Sequence, residues 1–290
     1  MRLKKSLMIS AIAVVGVFGL AACTDSSAPA PEESAVDETI EFDAGTTMAA
    51  LNEAGTITIG TKFDQPLFGQ VDPDGNPQGF DVEIAKLIAA KLGIPESGIE
   101  WKETISTNRE PFIQSGEVDM VVATYTINDK RKEVISFAGP YYNAGQDLMV
   151  LAGNPEKIEG PEDLAGKPVC TVAGSTSEGN IAEYTDNIVS LAGYAECLEP
   201  LRQGTVKAVS TDNVILAGLA DSSAGEFEVV GNPFTEEPYG IGLALDDTEF
   251  RTFINDVLDE AFEDGTWDEL WEKTAGTVLP LPEHPVVDRY

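Results

Sequence analysis

Thr124-Tyr125-Thr126-Ile127-Asn128-Asp129-Lys130-Arg131 (TYTINDKR) directly follows the apolar run Val121–Val122–Ala123. The junction reads as a buried strand that stops and offers the hydroxyls of Thr124 and Thr126. A helix then opens, with Asn128 as its N-cap and Arg131 in its first turn. A guanidinium, helix-start amides and hydroxyls converging on one point suit a carboxylate. The macrodipole disfavours a cation in a first turn unless an anion joins it there. A solvated charge run, Lys130–Arg131–Lys132, on an exposed helix is the competing reading.

Outward from this junction, strands and helices alternate. Thr56–Gly60 reads as a strand, and Asp72–Pro77 as a turn on its Asp, Pro, Gly and Asn content. The segment from Asp81 carries Ile84, Leu87, Ile88 and Leu92 on one helical face and stops at Gly93. Asp81 and Glu83 there fit a helix N-terminus and not an acid/base pair. Glu117–Ala123 is expected as a strand, Asn128 to about Ile135 as a helix, and Asp147–Leu151 as a strand leaving this first lobe. A second α/β unit follows, with strands at Pro168–Ala173, Thr205–Ser210 and Phe227–Val230. The loop Gly174–Ser175–Thr176–Ser177 opens one of its helices and Asp212 another. The chain returns through Tyr239–Leu245 to a helix at Asp247–Asp264 and a final Trp267–Trp271 segment. Two parallel-sheet lobes joined by two crossing segments, near Gly145–Gly153 and Glu236–Gly242, are implied. In open α/β sheets ligands sit at the carboxyl ends of strands. Thr124–Arg131, Ser175–Ser177 and Thr211–Asp212 all fall there, so the cleft between lobes is the expected site.

The N-terminus reads as an export signal, residues 1–22: basic Arg2, Lys4 and Lys5, then an apolar stretch Leu7–Leu20. That stretch is shorter than the ~20 residues a spanning helix wants. Leu20–Ala21–Ala22–Cys23 resembles the lipobox of bacterial lipoproteins, which implies cleavage before Cys23 and lipidation of its thiol. Residues 23–47, rich in Ser, Ala, Pro and acids, read as a flexible tether. The folded body is expected as lobe 1, residues 48–147 and 240–290, and lobe 2, residues 148–239. Of three cysteines, Cys170 and Cys197 remain, and an exported, oxidising setting favours a disulfide between them.

Charge narrows the partners. Lys and Arg number 18 against 50 Asp and Glu, a formal net charge of −32, which excludes nucleic acid as a partner. Removing the basic leader makes the mature chain more acidic still. Basic residues are therefore scarce, and those at loop mouths act locally, within a Debye length of ~8 Å. The single histidine, His284, lies in a Pro-rich tail, and nothing in the sequence supports a metal site, a cofactor or a Ser–His–Asp triad.

From about Leu51 to Trp271 the chain resembles the extracytoplasmic solute-binding proteins of polar amino-acid ABC transporters (solute-binding protein family 3), most closely their glutamate-binding type. Six stretches in order carry the likeness: Gly60–Pro66 (GTKFDQP), Gly79–Val82 (GFDV), Asn108–Arg109, Ala123–Arg131, Gly174–Ser177 (GSTS) and Ser210–Asn213 (STDN). The resemblance implies a type II periplasmic-binding-protein-like fold and no enzymatic activity. It implies that Arg131 holds the ligand α-carboxylate, with Thr124 and Thr126 assisting, and that Ser175 and Thr176 add donors to it. Asp212 is implied as acceptor of the α-ammonium, and it also suits the N-cap of its own helix. Lys62 and Arg109 are implied to meet a side-chain carboxylate, which favours glutamate or aspartate. Arg109 pairing with Glu110 is the alternative there, and Phe63 is expected to cover the ligand's aliphatic part.

The implied protein is a monomer on the outer face of the cell membrane. It hands an amino acid to an ABC permease served by a separate ATPase, since the chain has no GxxxxGK[ST] loop. A dehydratase of the cyclohexadienyl type and a sensory module are the rival readings on the same scaffold. The first would need a general acid or base beside the ligand.

Overall fold

The structure, a computed structural model, describes residues 40–290. The expected export segment, Cys23 and the first part of the tether lie outside these residues. The remainder of that tether is not free chain. Phe42 packs edge-on against Phe253, ring centroids 5.6 Å apart, and the Thr46 hydroxyl caps the first helix by accepting from Ala49 N at 3.1 Å. A single ring among small and acidic residues gives little compositional signal, yet one ring is enough to dock on an existing core.

The chain begins with α1 (Thr47–Ala54) and β1 (Ile57–Thr61), then a small meander of β2 (Asp64–Gln65), β3 (Gly69–Val71) and β4 (Pro77–Gln78). Next come α2 (Phe80–Lys91), β5 (Ile99–Glu103), α3 (Arg109–Ser115), β6 (Met120–Val121), α4 (Asp129–Lys132) and the long β7 (Ser136–Ala144). The middle of the chain forms β8 (Gln146–Leu151), β9 (Val169–Val172), α5 (Thr176–Ile181), β10 (Ile188–Leu191) and α6 (Leu198–Arg202). It continues through β11 (Ala208–Asp212), α7 (Asn213–Ser222) and β12 (Phe227–Val229), and returns as β13 (Glu237–Leu243), α8 (Thr248–Asp264) and α9 (Thr266–Lys273).

Two five-stranded sheets result, in the orders β5-β1-β6-β13-β7 and β10-β9-β11-β8-β12. Each is the floor of one lobe. β1 pairs parallel with β5 and β6, and β9 with β10 and β11. The strands nearest the crossings run antiparallel: β13 against β6 and β7, and β8 against β11 and β12. The expected parallel lobes are thus parallel only in part. Parallel neighbours need a long crossover, whereas β7 runs almost straight into β8 through Gly145. The second sheet begins at Gln146 and the first resumes at Glu237, so the chain passes between the sheets at the starts of the two segments singled out in the sequence.

Helix faces explain the packing. α2 buries Val82, Ile84, Ala85, Leu87 and Ile88, and Gly93 follows it in the left-handed conformation (φ +78°) that a glycine adopts without steric cost. α9 contributes Trp267 and Trp271 to an aromatic block. Trp271 stacks on Tyr142 at 5.1 Å, while Phe68 meets Trp271 and Tyr239 edge-on at 6.2 Å and 6.1 Å. Burying each such side chain contributes about 1.5–3 kcal/mol, and the block fixes the turn before Phe68 relative to Tyr239.

Cys170 on β9 and Cys197 ahead of α6 are joined by a disulfide, with their Cα atoms 5.7 Å apart and a sequence separation of 27. A loop of that length restrains the unfolded chain by about 3.5 kcal/mol in the chain-entropy model. Replacing both cysteines by alanine should lower the unfolding free energy by about 3 kcal/mol, read as a fall in the urea midpoint. A midpoint unchanged from wild type would show the bond to be thermodynamically idle.

The tail beyond Leu279, silent in the sequence, straps the first lobe. His284 stacks on Phe262 at 5.0 Å, and the Tyr290 hydroxyl accepts from Phe137 N at 2.9 Å. Lys132 and Arg251 lie over the Tyr290 ring at 3.8 Å and 4.2 Å, which ties the tail to α4.

Candidate ligand-binding site

The Thr124–Arg131 junction is held by groups from distant segments. Thr124 has φ +44°, uncommon for a residue with a Cβ. Its N–H donates to Asp81 Oδ2 at 2.7 Å and its hydroxyl to Gln65 Oε1 at 2.8 Å. Asp81 also accepts from the Tyr141 hydroxyl at 2.6 Å. Its burial raises the carboxyl to about 6, against the lowering effect of those two hydrogen bonds. Asp81 does stand in the first turn of α2, but as a buried pin for Thr124, not an exposed helix-start acid. Asn128 caps α4, its Oδ1 accepting from Arg131 N at 2.9 Å.

Two guanidiniums flank the Tyr125 ring. Arg109 lies 4.0 Å from its centroid and Arg131 4.9 Å. Arg109 donates Nη1 to Ala123 O at 3.1 Å, and its buried Nε has no partner. Burial and the neighbouring Arg131 lower it to about 10. Arg131 donates Nη1 to Thr126 O at 2.7 Å, and its Nε is 3.3 Å from Glu110 Oε1. Glu110 therefore pairs with Arg131 and not with adjacent Arg109, as expected where consecutive helical side chains diverge.

Between the lobes lies a narrow cavity with room for about one water molecule. The first lobe lines it with Gln65, Ser106, Arg109, Thr124 and Thr126, the second with Ser175, Thr176, Ser177, Tyr194, Thr211 and Asp212. Six of the nine residues expected at the site thus meet: Arg109, Thr124, Thr126, Ser175, Thr176 and Asp212. The other three stand apart. Lys62, 4% exposed, sits behind the wall and donates Nζ to Ser106 Oγ at 3.2 Å. Its burial, and then Arg109, lower its ammonium to about 7. Arg131 lines an adjoining open groove that shares Ser175 and Thr176 with the cavity. Phe63 is half-buried and is not part of the lining.

Asp212 holds the N-cap position of α7 but makes no capping bond. Its Oδ2 accepts from the Tyr239 hydroxyl at 2.6 Å, and its buried Oδ1 has no partner. Burial, then the charge of Glu237, raise it to about 7. The Ser175 hydroxyl caps α5, accepting from Glu178 N at 3.0 Å and donating to Val172 O at 2.7 Å. The Thr176 hydroxyl donates to buried Glu237 Oε2 at 2.8 Å and lies 3.5 Å from Thr126 Oγ1. Both hydroxyls are committed, so the donors this loop has left for an anion are first-turn N–H groups of α5.

Ser177 and Thr211 line the cavity as members of the clusters expected at the cleft, while sequence reasoning missed Gln65, Ser106, Tyr194 and Ile215 in the lining, and Glu237 and Tyr239 behind it. Gln65 lies inside a stretch already singled out. Nothing local marks Tyr194, Glu237 or Tyr239, which reach the site through tertiary packing. Among the described residues no group of His, Cys, Asp or Glu is placed to hold a metal ion.

Arg109 from one lobe and Asp212 from the other thus line the cavity, and each keeps a buried polar atom without a partner. Leaving such groups buried without partners costs about 1–3 kcal/mol each, more when charged. A small solute carrying both charges satisfies both.

Residues 57–277 match the family described as bacterial extracellular solute-binding proteins, family 3. The chain is 39% identical over 248 residues to the glutamate-binding protein GluB of Corynebacterium efficiens, covering 81% of this chain and 84% of that protein. It is 37% identical over 277 residues to the ABC transporter glutamine-binding protein GlnH of Bacillus subtilis, covering 93% and 97%. Among solved structures it is similar to an ancestral arginine-binding protein bound to glutamine, at 36% identity and a TM-score of 0.70, covering 76% of this chain and 97% of that one.

Proposed function

Because the chain belongs to the bacterial extracellular solute-binding proteins, family 3, we propose that it captures glutamate between its lobes and delivers it to an ABC permease. It is an extracytoplasmic amino-acid-binding protein and not an enzyme. The observation that carries the reading is that Arg109 and Asp212, each with a buried polar atom lacking a partner, line one inter-lobe cavity from opposite lobes. Asp212 takes the α-ammonium, which also needs an acidic acceptor by its chemistry. Arg131 takes the α-carboxylate by turning from Glu110, with help from Thr124, Thr126 and the start of α5 at Ser175 and Thr176. A guanidinium fork matches that carboxylate's planar geometry.

Preference for an acidic side chain rests on Lys62 and Arg109, two cations within a strongly acidic chain. Phe63 contributes at the rim. The lobes act as residues 48–147 with 240–290 and residues 148–239, hinged at the two crossings, and the ligand favours closure only through contacts made in the shut form. Cys23 carries the lipid, and the segment after it keeps the body near the membrane and its permease. No helix of the described residues is long and apolar enough to cross a membrane. The protein works as a monomer.

Calorimetric titration of the purified body with glutamate, aspartate, glutamine and histidine tests the reading. Glutamate is expected to bind most tightly. Absence of heat with all four amino acids would refute it. Lys62→Met is expected to weaken glutamate about tenfold or more while leaving glutamine nearly unchanged. Equal losses for the two ligands would remove Lys62 from side-chain selection.

A further inference from the structure

Helix α7 begins beside Asp212, and its next turns present Ile215 and Gly218, three residues apart and so on one face. Ile215 lines the cavity. Gly218 is buried mid-helix, where glycine is a poor helix former compared with alanine. The reason for its bareness lies across the cleft. A Cβ built on Gly218 would stand 2.3 Å from Pro66 O and 3.0 Å from Pro66 C, with Leu67 Cγ at 3.3 Å. The obstacle is backbone carbonyl, which cannot swing aside as a long side chain does. Pro66 and Leu67 form the turn between β2 and β3 of the first lobe. Leu67 holds φ +73°, a conformation disfavoured for any residue with a side chain and kept only where surroundings dictate it.

This turn is part of the site's frame. Gln65, immediately before it, lines the cavity and accepts from Thr124. Phe68, immediately after it, is locked in the aromatic block. The turn is therefore rigidly joined to the first lobe, as α7 is to the second. A neighbouring contact repeats the pattern: Asp64 Oδ2 accepts from Ala195 N at 3.4 Å, and a Cβ on Gly193 would stand 2.5 Å from that same oxygen. There the obstacle is a side-chain end and is free to yield.

We infer that Gly218 is the seat on which the Pro66–Leu67 turn lands when the lobes shut over an amino acid, and that its missing side chain sets how far they shut. This rests on the amino-acid-binding reading above. Gly218 is a positioning residue: a side chain there holds Asp212 and Ile215 away from the first-lobe wall without touching the ligand.

Gly218→Ala is the test, with Gly179→Ala as its match, because Gly179 is also helical and a Cβ there meets nothing within 4 Å. Three quantities are read: thermal unfolding without ligand, calorimetric affinity for glutamate, and ligand-induced contraction by small-angle scattering. Gly218→Ala is expected to unfold at or above the wild-type temperature, to bind glutamate at least about tenfold more weakly, and to lose the contraction. Gly179→Ala is expected to keep wild-type affinity and contraction. Wild-type affinity and contraction in Gly218→Ala would overturn the inference. So would a clear fall in its ligand-free unfolding temperature, which would make the contact a permanent part of the fold. Failure of the wild type to bind any amino acid would overturn the underlying reading and the inference with it, an outcome distinguishable from the other two.

Discussion

Arg131→Ala is expected to lose glutamate, aspartate and glutamine alike, each by roughly a thousandfold, while the protein stays folded. Every α-amino acid carries the α-carboxylate, so removing its fork weakens all of them equally. Truncating one member of a buried charge pair costs about 2–5 kcal/mol, and about 4 kcal/mol is a factor of a thousand. The fold should tolerate the change. Arg131 sits in a four-residue helix whose start is capped by Asn128, and the partner it would leave behind, Glu110, is partly exposed and can be hydrated. Arg131→Lys keeps the charge and loses the planar fork, so it should fall between wild type and alanine. The measurement is calorimetric, with unfolding curves as the control. Retained affinity in Arg131→Ala, together with abolished affinity in Arg109→Ala, would transfer the carboxylate role to Arg109, whose guanidinium lines the cavity.

The second large effect is on the acid end and is best read against pH. Asp212 titrates at about 7 in the shut cleft because burial, then Glu237, disfavour its charged form. An ammonium beside it favours that charged form and lowers its pKa. As pH falls below 7 the empty site takes up a proton that binding must expel, so affinity falls. The loss is roughly tenfold per pH unit, about a hundredfold by pH 5. Lys62, lowered to about 7 by burial and then by Arg109, supplies the opposite limb for glutamate only. Above pH 7 it is increasingly neutral, and a side-chain carboxylate must pull a proton back onto it. Glutamate should therefore show a bell centred near neutrality, and glutamine only the acid limb. Asp212→Asn should bind about a hundredfold more weakly at pH 7 and lose the acid limb. Titrations from pH 5 to pH 9 decide the matter, and flat profiles for both ligands would mean that neither group changes charge on binding.

The parts of this site legible in sequence are those encoded locally. Asn128 as a cap and Arg131 three residues later are a short-range pattern, and the GSTS loop and Asp212 follow strands whose apolar runs are plain. Asp81 was legible as a helix-start residue but not as a buried pin, because its helical position is local while its burial is not: only the fold brings Tyr141 and the Thr124 amide to it. The commitment of the Thr176 hydroxyl to Glu237, 61 residues away, was equally invisible. Short β2–β4 and the antiparallel β7 escaped notice for a related reason. A two-residue strand has no periodicity to read, and β7, buried along most of its length, shows no alternation.

Asp212 keeps one buried oxygen without a partner. A dicarboxylic acid without an amine, or an amine without an acid, would answer one end of the chamber and strand the other in a dry enclosure. Such half-matches are turned away less by what they fail to grip than by what they leave behind. On the proposed reading the chamber acts as a coincidence detector, because only a molecule bearing both charges at amino-acid spacing leaves neither end unanswered.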